Sequence, residues 1–243
     1  MILFLAMLPD AHAFRLSGHR VMTERAVLAE DMAELERWLW QGNRAEDTRI
    51  GIKWRHYSHY HRPDADLLLP RRGTSGDRVE VLWEQAEEAR RQGDSAAMWT
   101  AVGGLLHHVQ DMASPPHVVP VAHDLRDGFE SWPVDGLVAA LALTTPAPLD
   151  PITAHSILAR ETWGLVQSDA VTGCGLRIPL SDIWQAPTDG PFGTYGDWAF
   201  RQREDCPELR EAMEAVLVDR LAAALHYSRA VLQFFAAPQG TLP

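Results

Sequence analysis

Cysteine is nearly absent from this sequence: Cys174 and Cys206 are the only two in 243 residues. Two are too few for a cysteine-based metal site, and they leave either one disulfide in an oxidising compartment or two free thiols. Long apolar runs are missing as well. The opening stretch Met1 to Met7 is far too short to span a bilayer, and no other segment reads as transmembrane. There is no alternating apolar and polar pattern of useful length, so nothing reads as a substantial sheet, and there is no internal repeat. Positive charge is in deficit: the net charge of −11 argues against non-specific binding to a polyanion surface. A phosphate ester stays open as a substrate, because bound cations reverse the local field.

What is present is a hydrophobic content of 46%, enough for a sizeable core within one domain. Of the eleven histidines, ten follow Ala13, and most fall in short clusters. The densest cluster is LLHHVQDMASPPH, running from Leu105 to His117 and holding His107, His108, Asp111 and His117. The preceding Ala96 to Leu106 reads as helix. Continued through the cluster, that helix puts His107 and Asp111 at i and i+4 on one face, ~6 Å apart along the axis. An imidazole and a carboxylate so placed can converge on one ion, as the two histidines of an HExxH helix do. The Ser114-Pro115-Pro116 break then turns the chain and presents His117 from another direction. Zinc requires this, since its nitrogen and oxygen ligands arrive tetrahedrally.

The rest of the chain reads as helices joined by irregular stretches, and the class is all-α. A helical apolar pattern covers His19 to Trp40. A long polar connection runs from Gln41 to Gly76 and contains Asp47, His56, His59 and His61; loops of that length in compact domains are usually functional. Helices follow over Asp77 to Arg91, Leu137 to Leu143, Ile152 to Val166 and Glu208 to Phe235. After His117, His123 and Asp127 repeat the i, i+4 spacing, with Glu130 three residues further on. Gly173 to Asp197 has no clear period, and its Trp184, Phe192, Tyr195 and Trp198 could wall a substrate cleft. At the start, an apolar run is followed by Ala11-His12-Ala13, which fits the small-x-small rule of signal peptidase, although no basic residues precede it and the segment is short. Residues 1–13 therefore read as a signal peptide. The expected mature chain is one all-α domain from Phe14 to Pro243, exported to the periplasm or secreted.

Candidate ligands fall in five places: the mature N-terminus with His19, Asp47 with His59, His107 with Asp111, His117, and His123 with a following acid. One zinc needs fewer. A cluster of ions suits phosphoester hydrolysis, because it can clamp both the attacking and the leaving oxygen. In this order FRLSGH, AED, SHY, HHVQDMASPPH and HDLRDGFESW resemble the zinc-dependent phospholipase C family, whose all-helical fold also serves single-strand-specific nucleases. The resemblance spans roughly Phe14 to Trp132, and HxxxDxxxxxH is its most specific part.

The resemblance implies up to three zinc ions. Phe14 would bind one through its own amine and carbonyl, with His19; the family residue there is normally Trp, but the ligand atoms are backbone. Asp47, His59 and His107 would hold a second ion, with Asp111 bridging. His117 and His123 would hold the third with an acid: helical geometry favours Asp127, and the likeness of GFESW to the family's helix favours Glu130. The implied activity is hydrolysis of a phospholipid or other phosphodiester by zinc-bound hydroxide, with Asp47 a candidate general base as well as a ligand. Nucleic acid enters only as an alternative substrate, and a zinc-binding protein without catalysis is a third reading. His108 reads as a core residue or one that orients a ligand. His155 and His226 lie outside the motif.

Overall fold

The computed structural model describes residues 15–49, 59–65, 73–121, 128–188, 192–196 and 206–237. Among them the fold is all-α: nine α-helices and one short 3-10 turn, with two small antiparallel strand pairs. In chain order the helices are α1 (Arg15–Ala29), α2 (Glu36–Thr48), α3 (Ser75–Arg91), α4 (Ser95–Asp111), α5 (Pro115–Val118), α6 (Asp135–Ala140), α7 (Pro151–Ser168), α8 (Leu180–Ile183) and α9 (Pro207–Ala236). The strands are β1 (Ala170–Gly173) paired with β2 (Leu176–Pro179), and β3 (Trp184–Gln185) paired with β4 (Thr194–Tyr195). No helix among the described residues is long and apolar enough to cross a membrane.

The core is built around α4. Its Asp94 cap accepts the Ala97 N–H at 2.9 Å, and every residue from Ala101 to Asp111 is buried. The helices α2 and α3 pack along most of its length, with α1, α7 and α9 completing the enclosure. Each of these neighbours begins or packs for a local reason. Thr74 and Asp77 close a capping box on α3, and Asp150 caps α7 ahead of Pro151. The long α9 turns Leu209, Met213, Leu217, Leu221, Leu225 and Leu232 into the core.

Two glycines set how closely α2 approaches α4. A Cβ on Gly42 would stand 1.8 Å from the Thr100 carbonyl oxygen, and one on Gly103 would stand 2.0 Å from the Leu39 carbonyl oxygen. The two helices thus meet backbone to backbone, which brings the side chains one turn further along each within reach of one another. Gly103→Ala is expected to force them apart at an overpacking cost of about 1–3 kcal/mol. For a chain this long that is a fall in melting temperature of about 2–4 °C per kcal/mol. Thermal unfolding followed by circular dichroism checks this; an unchanged melting temperature would show that the contact is not close.

Several expectations shift. The helix expected from His19 to Trp40 is two helices: the chain leaves α1, passes through Asp31 at φ 57° and the 3-10 turn Ala33–Leu35, and re-enters as α2. The long connection expected from Gln41 begins only after Thr48, so Asp47 sits on a helix and not in a loop. The reason is that three of the residues this half of α2 buries are polar, Asn43, Glu46 and Asp47, beside the small Gly42 and Ala45, and a hydrophobic period does not register them. The helix expected at Leu137 to Leu143 ends at Ala140, ahead of the extended Thr144 to Asp150. The stretch expected to be irregular from Gly173 holds most of the two strand pairs, the first of which begins at Ala170 and turns through Cys174 and Gly175 at positive φ. Cys174 and Cys206 form a disulfide that fastens this turn to the residue before α9.

Candidate metal centre

Seven of the ten ligand residues expected from the sequence lie among the described residues and converge at one end of the α2–α4 contact: His19, Asp47, His59, His107, Asp111, His117 and Glu130. Phe14, His123 and Asp127 lie outside the described residues, as does His56. All seven are buried, with His19, His107 and Asp111 fully enclosed. They come from several places in the fold. α1 supplies His19, α2 supplies Asp47, and one turn of α4 supplies His107 and Asp111. The short segment at His59 lies across them, held by the His61 N–H donating to the His117 carbonyl at 3.1 Å. The turn after α4 leads into α5, where the Pro115-Pro116 start presents His117 from the side.

His107 is the focus. Its Nδ1–H donates to Asn43 Oδ1 at 3.3 Å, which leaves Nε2 as a lone pair. Around that nitrogen stand His59 Nδ1 at 3.1 Å, Asp111 Oδ2 at 3.4 Å and Asp47 Oδ1 at 4.0 Å. Burial lowers the His107 pKa to about 3, with the neighbouring Asp111 charge only partly opposing it, so the ring is neutral. A neutral nitrogen lone pair beside two buried carboxylates is a donor set that a cation would stabilise. His59 adds a second sign. Its Nδ1 lies 2.8 Å from Asp111 Oδ2, while its Nε2 is buried with no hydrogen-bond partner.

The donor atoms fall into two groups that can hold a metal ion: His19, Asp47 and His107, and His59, His107 and Asp111, with the atoms of each group within 4.8 Å of one another. His107 belongs to both but offers only Nε2, and an imidazole nitrogen ligates one ion. The carboxylate of Asp111 reaches both groups, since Oδ1 faces His19 Nε2 at 3.3 Å while Oδ2 faces His107 and His59. For His19, burial opposes the charged form, but the hydrogen bond and charge of Asp111 with the charge of Asp47 outweigh it and raise the pKa. For Asp111, burial is outweighed by the surrounding His107, His117 and His59, which hold the carboxyl well below its usual range.

The third corner is His117 with Glu130. His117 Nδ1–H donates to the His59 carbonyl at 2.9 Å, and its Nε2 lies 3.0 Å from Glu130 Oε1. Ser114 Oγ donates to the same carboxylate oxygen at 3.1 Å. Burial works against a charged His117, but Asp111 and Glu130 prevail and raise its pKa to about 9. Of the two acids left open by the sequence, Glu130 lies beside His117, and Asp127 is outside the described residues.

Next to this centre runs a second buried polar layer that the sequence did not flag as a unit. Glu46, one residue before Asp47, takes two hydrogen bonds from Arg78 at 2.8 Å each and faces His108 Nε2 at 3.2 Å. His108 Nδ1 faces Ser75 Oγ, which also meets His155 Nε2, both at 3.0 Å. Adjacent residues thus divide their work: Asp47 and His107 face the centre, while Glu46 and His108 tie α2, α3 and α4 together behind it. His108 is accordingly a core residue, one of the two readings the sequence left open, and its partners Glu46 and Ser75 are not candidate ligands. His155 is buried in this layer, the ring of His61 lies 4.8 Å from it, and His226 is half-buried against Thr144 away from the centre. The cleft aromatics divide. Trp184 is wholly buried against Phe129, Phe192 is exposed beside Tyr60, and Trp198 lies outside the described residues. Tyr195 pairs with Trp184 across β3 and β4 and is half-buried.

Compared with models of known protein families and with curated proteins, the chain matches none.

Proposed function

We propose that this chain is a zinc-dependent phosphodiester hydrolase of the phospholipase C type. The observation that carries the reading is the buried convergence of His107 Nε2, His59 Nδ1 and the carboxylates of Asp111 and Asp47, a mixed nitrogen and oxygen donor set. Zinc fits this donor set better than magnesium or calcium, which prefer all-oxygen cages. His59, His107 and Asp47 would hold one ion, His19 another with the N-terminal residue Phe14, and His117 with Glu130 the third, His123 and Asp127 being its remaining claimants. When bound, the ions would supply Lewis acidity, neutralising phosphoryl oxygens and making water acidic enough to act as a nucleophile near neutral pH. The chain's own contribution is to hold these groups in a buried frame. Asp111 spans two groups through its two oxygens, and Asp47 stands close enough to the focus to take a proton from water as general base. Export agrees with the disulfide, which persists in oxidising compartments.

A second reading, a nuclease or nucleotidase acting on single strands, is favoured by one observation. Tyr60 stacks on His117 with ring centroids 5.4 Å apart, and Phe192 meets Tyr60 edge to face at 5.2 Å, at a partly exposed position beside the centre. Such faces stack nucleobases without regard to sequence.

The test is hydrolysis of mixed-micelle phospholipid and of single-stranded DNA by the purified protein, before and after chelation and after zinc is restored. Chelator-sensitive release of a phosphorylated headgroup is expected. Cleavage of DNA alone would install the second reading, and a zinc-loaded protein inert toward both would overturn both.

A further inference from the structure

Two neutral amides lie directly behind the candidate ligands, and neither is a ligand itself. Asn43 and Gln110 are fully buried between α1, α2, α4 and α9. Asn43 Oδ1 accepts from His107 Nδ1 at 3.3 Å, and its Nδ2 donates to Gln110 Oε1 and to Thr23 Oγ1 at 3.2 Å each. Gln110 Oε1 also accepts from His19 Nδ1 at 2.8 Å, and its Nε2 donates to Thr23 Oγ1 and Ser228 Oγ at 3.3 Å each. Every amide proton is used, and both lone pairs of Gln110 Oε1 are taken.

We infer that Asn43 and Gln110 act as one positioning unit that fixes the proton of both His107 and His19 on Nδ1 and so presents Nε2 of each ring toward Asp111. The two amides cannot reverse independently. Turning Asn43 over would set its oxygen against Gln110 Oε1 and its NH2 against His107 Nδ1. Turning Gln110 over would set its NH2 against that of Asn43. The orientation that satisfies one amide therefore dictates the other, and the two imidazoles are coupled through them. The rings themselves stack at 4.1 Å with an interplanar angle of 26°, so their Nε2 atoms point the same way, one to each oxygen of Asp111.

Amides suit this task where carboxylates would not. A histidine ligand usually passes its second N–H to a carboxylate or a backbone carbonyl. Here the acceptor is neutral, so it fixes the tautomer without adding charge to a site that already holds Asp47 and Asp111. The amide also has donors to pass on, which carry the alignment through to Thr23 on α1 and Ser228 on α9.

The inference rests on the metal reading for its purpose, but its geometry is tested without metal. Long-range proton–nitrogen correlation spectra of the full-length, zinc-stripped protein at alkaline pH report the tautomer of each ring. Nδ1–H is expected at both His19 and His107, and Asn43→Leu is expected to release both rings, although it touches only one. Gln110→Glu, which keeps an acceptor for His19, should retain Nδ1–H there, whereas Gln110→Leu should not. Zinc affinity, measured by competition with a chromogenic chelator on samples whose helical circular dichroism matches wild type, should fall about 10–100-fold in Asn43→Leu. An Nε2–H tautomer at either ring of the wild-type protein would overturn the inference, and so would Asn43→Leu leaving the His19 tautomer and the zinc affinity unchanged. Should Asn43→Leu fail to fold, the wild-type spectra decide alone. A wild-type protein that binds no zinc yet shows both Nδ1–H tautomers would sink the proposed function and leave the amide unit standing.

Discussion

His107→Ala is expected to remove bound zinc and phosphodiesterase activity together. His107 is the residue on which the other donors are centred: its Nε2 lies 3.1 Å from His59 Nδ1 and within 4.0 Å of both Asp111 and Asp47. Without it each of the two donor groups loses the imidazole they share, leaving one nitrogen fewer for a tetrahedral set. Zinc content should fall by at least one equivalent and activity to background. His226→Gln, which alters only the half-buried ring beside Thr144, should change neither. An inactive His107→Ala protein that keeps its full zinc content would show that this imidazole is not a ligand.

The second large effect is expected at Glu46, which touches no candidate ligand. Its carboxylate is buried, and burial alone would raise its pKa; the hydrogen bonds from Arg78 and His108 prevail and hold it well below the usual carboxylate range. Glu46→Ala deprives the Arg78 guanidinium of a two-pronged acceptor and His108 of its carboxylate. Removing one partner of a buried ion pair costs about 3–5 kcal/mol. The variant should therefore melt well below the wild type. Zinc should also bind more weakly, because Asp47 is the next residue on the same helix and loses the clamp that fixes its turn of α2. Replacing both members, as in Glu46→Leu with Arg78→Met, should recover part of the lost stability, since no charge is then left in the interior. A Glu46→Ala protein with a wild-type melting curve would mean that the clamp is not closed in solution.

Much of the candidate site was legible because its candidate ligands sit in short motifs with geometric meaning. His107 and Asp111 share a helical face through their spacing alone, and the proline pair before His117 announced a change of direction. The polar side of the frame was harder to read. Asn43 stands one turn before Asp47, and Gln110 lies inside HHVQD, so both were in view. Nothing in their spacing, however, says that two amides from different helices will meet. The same inversion hid the second half of α2: beside Gly42 and Ala45 it buries Asn43, Glu46 and Asp47, and a reading that looks for apolar residues at helical period takes such a stretch for a loop. The break at Asp31 was hidden for a different reason. A left-handed residue that turns the chain there is an aspartate, a type that also sits in helices. Gly42 and Gly103 read as helix-weakening residues by propensity, and only the closeness of α2 to α4 explains them.

The most direct measurement is the metal content of the purified full-length protein, by elemental analysis after exhaustive dialysis against metal-free buffer. The account predicts more than one equivalent of zinc per chain, lost on chelation and regained on adding zinc back. A protein that is fully folded by circular dichroism and holds less than one equivalent of any transition metal, even after zinc is supplied, would contradict it.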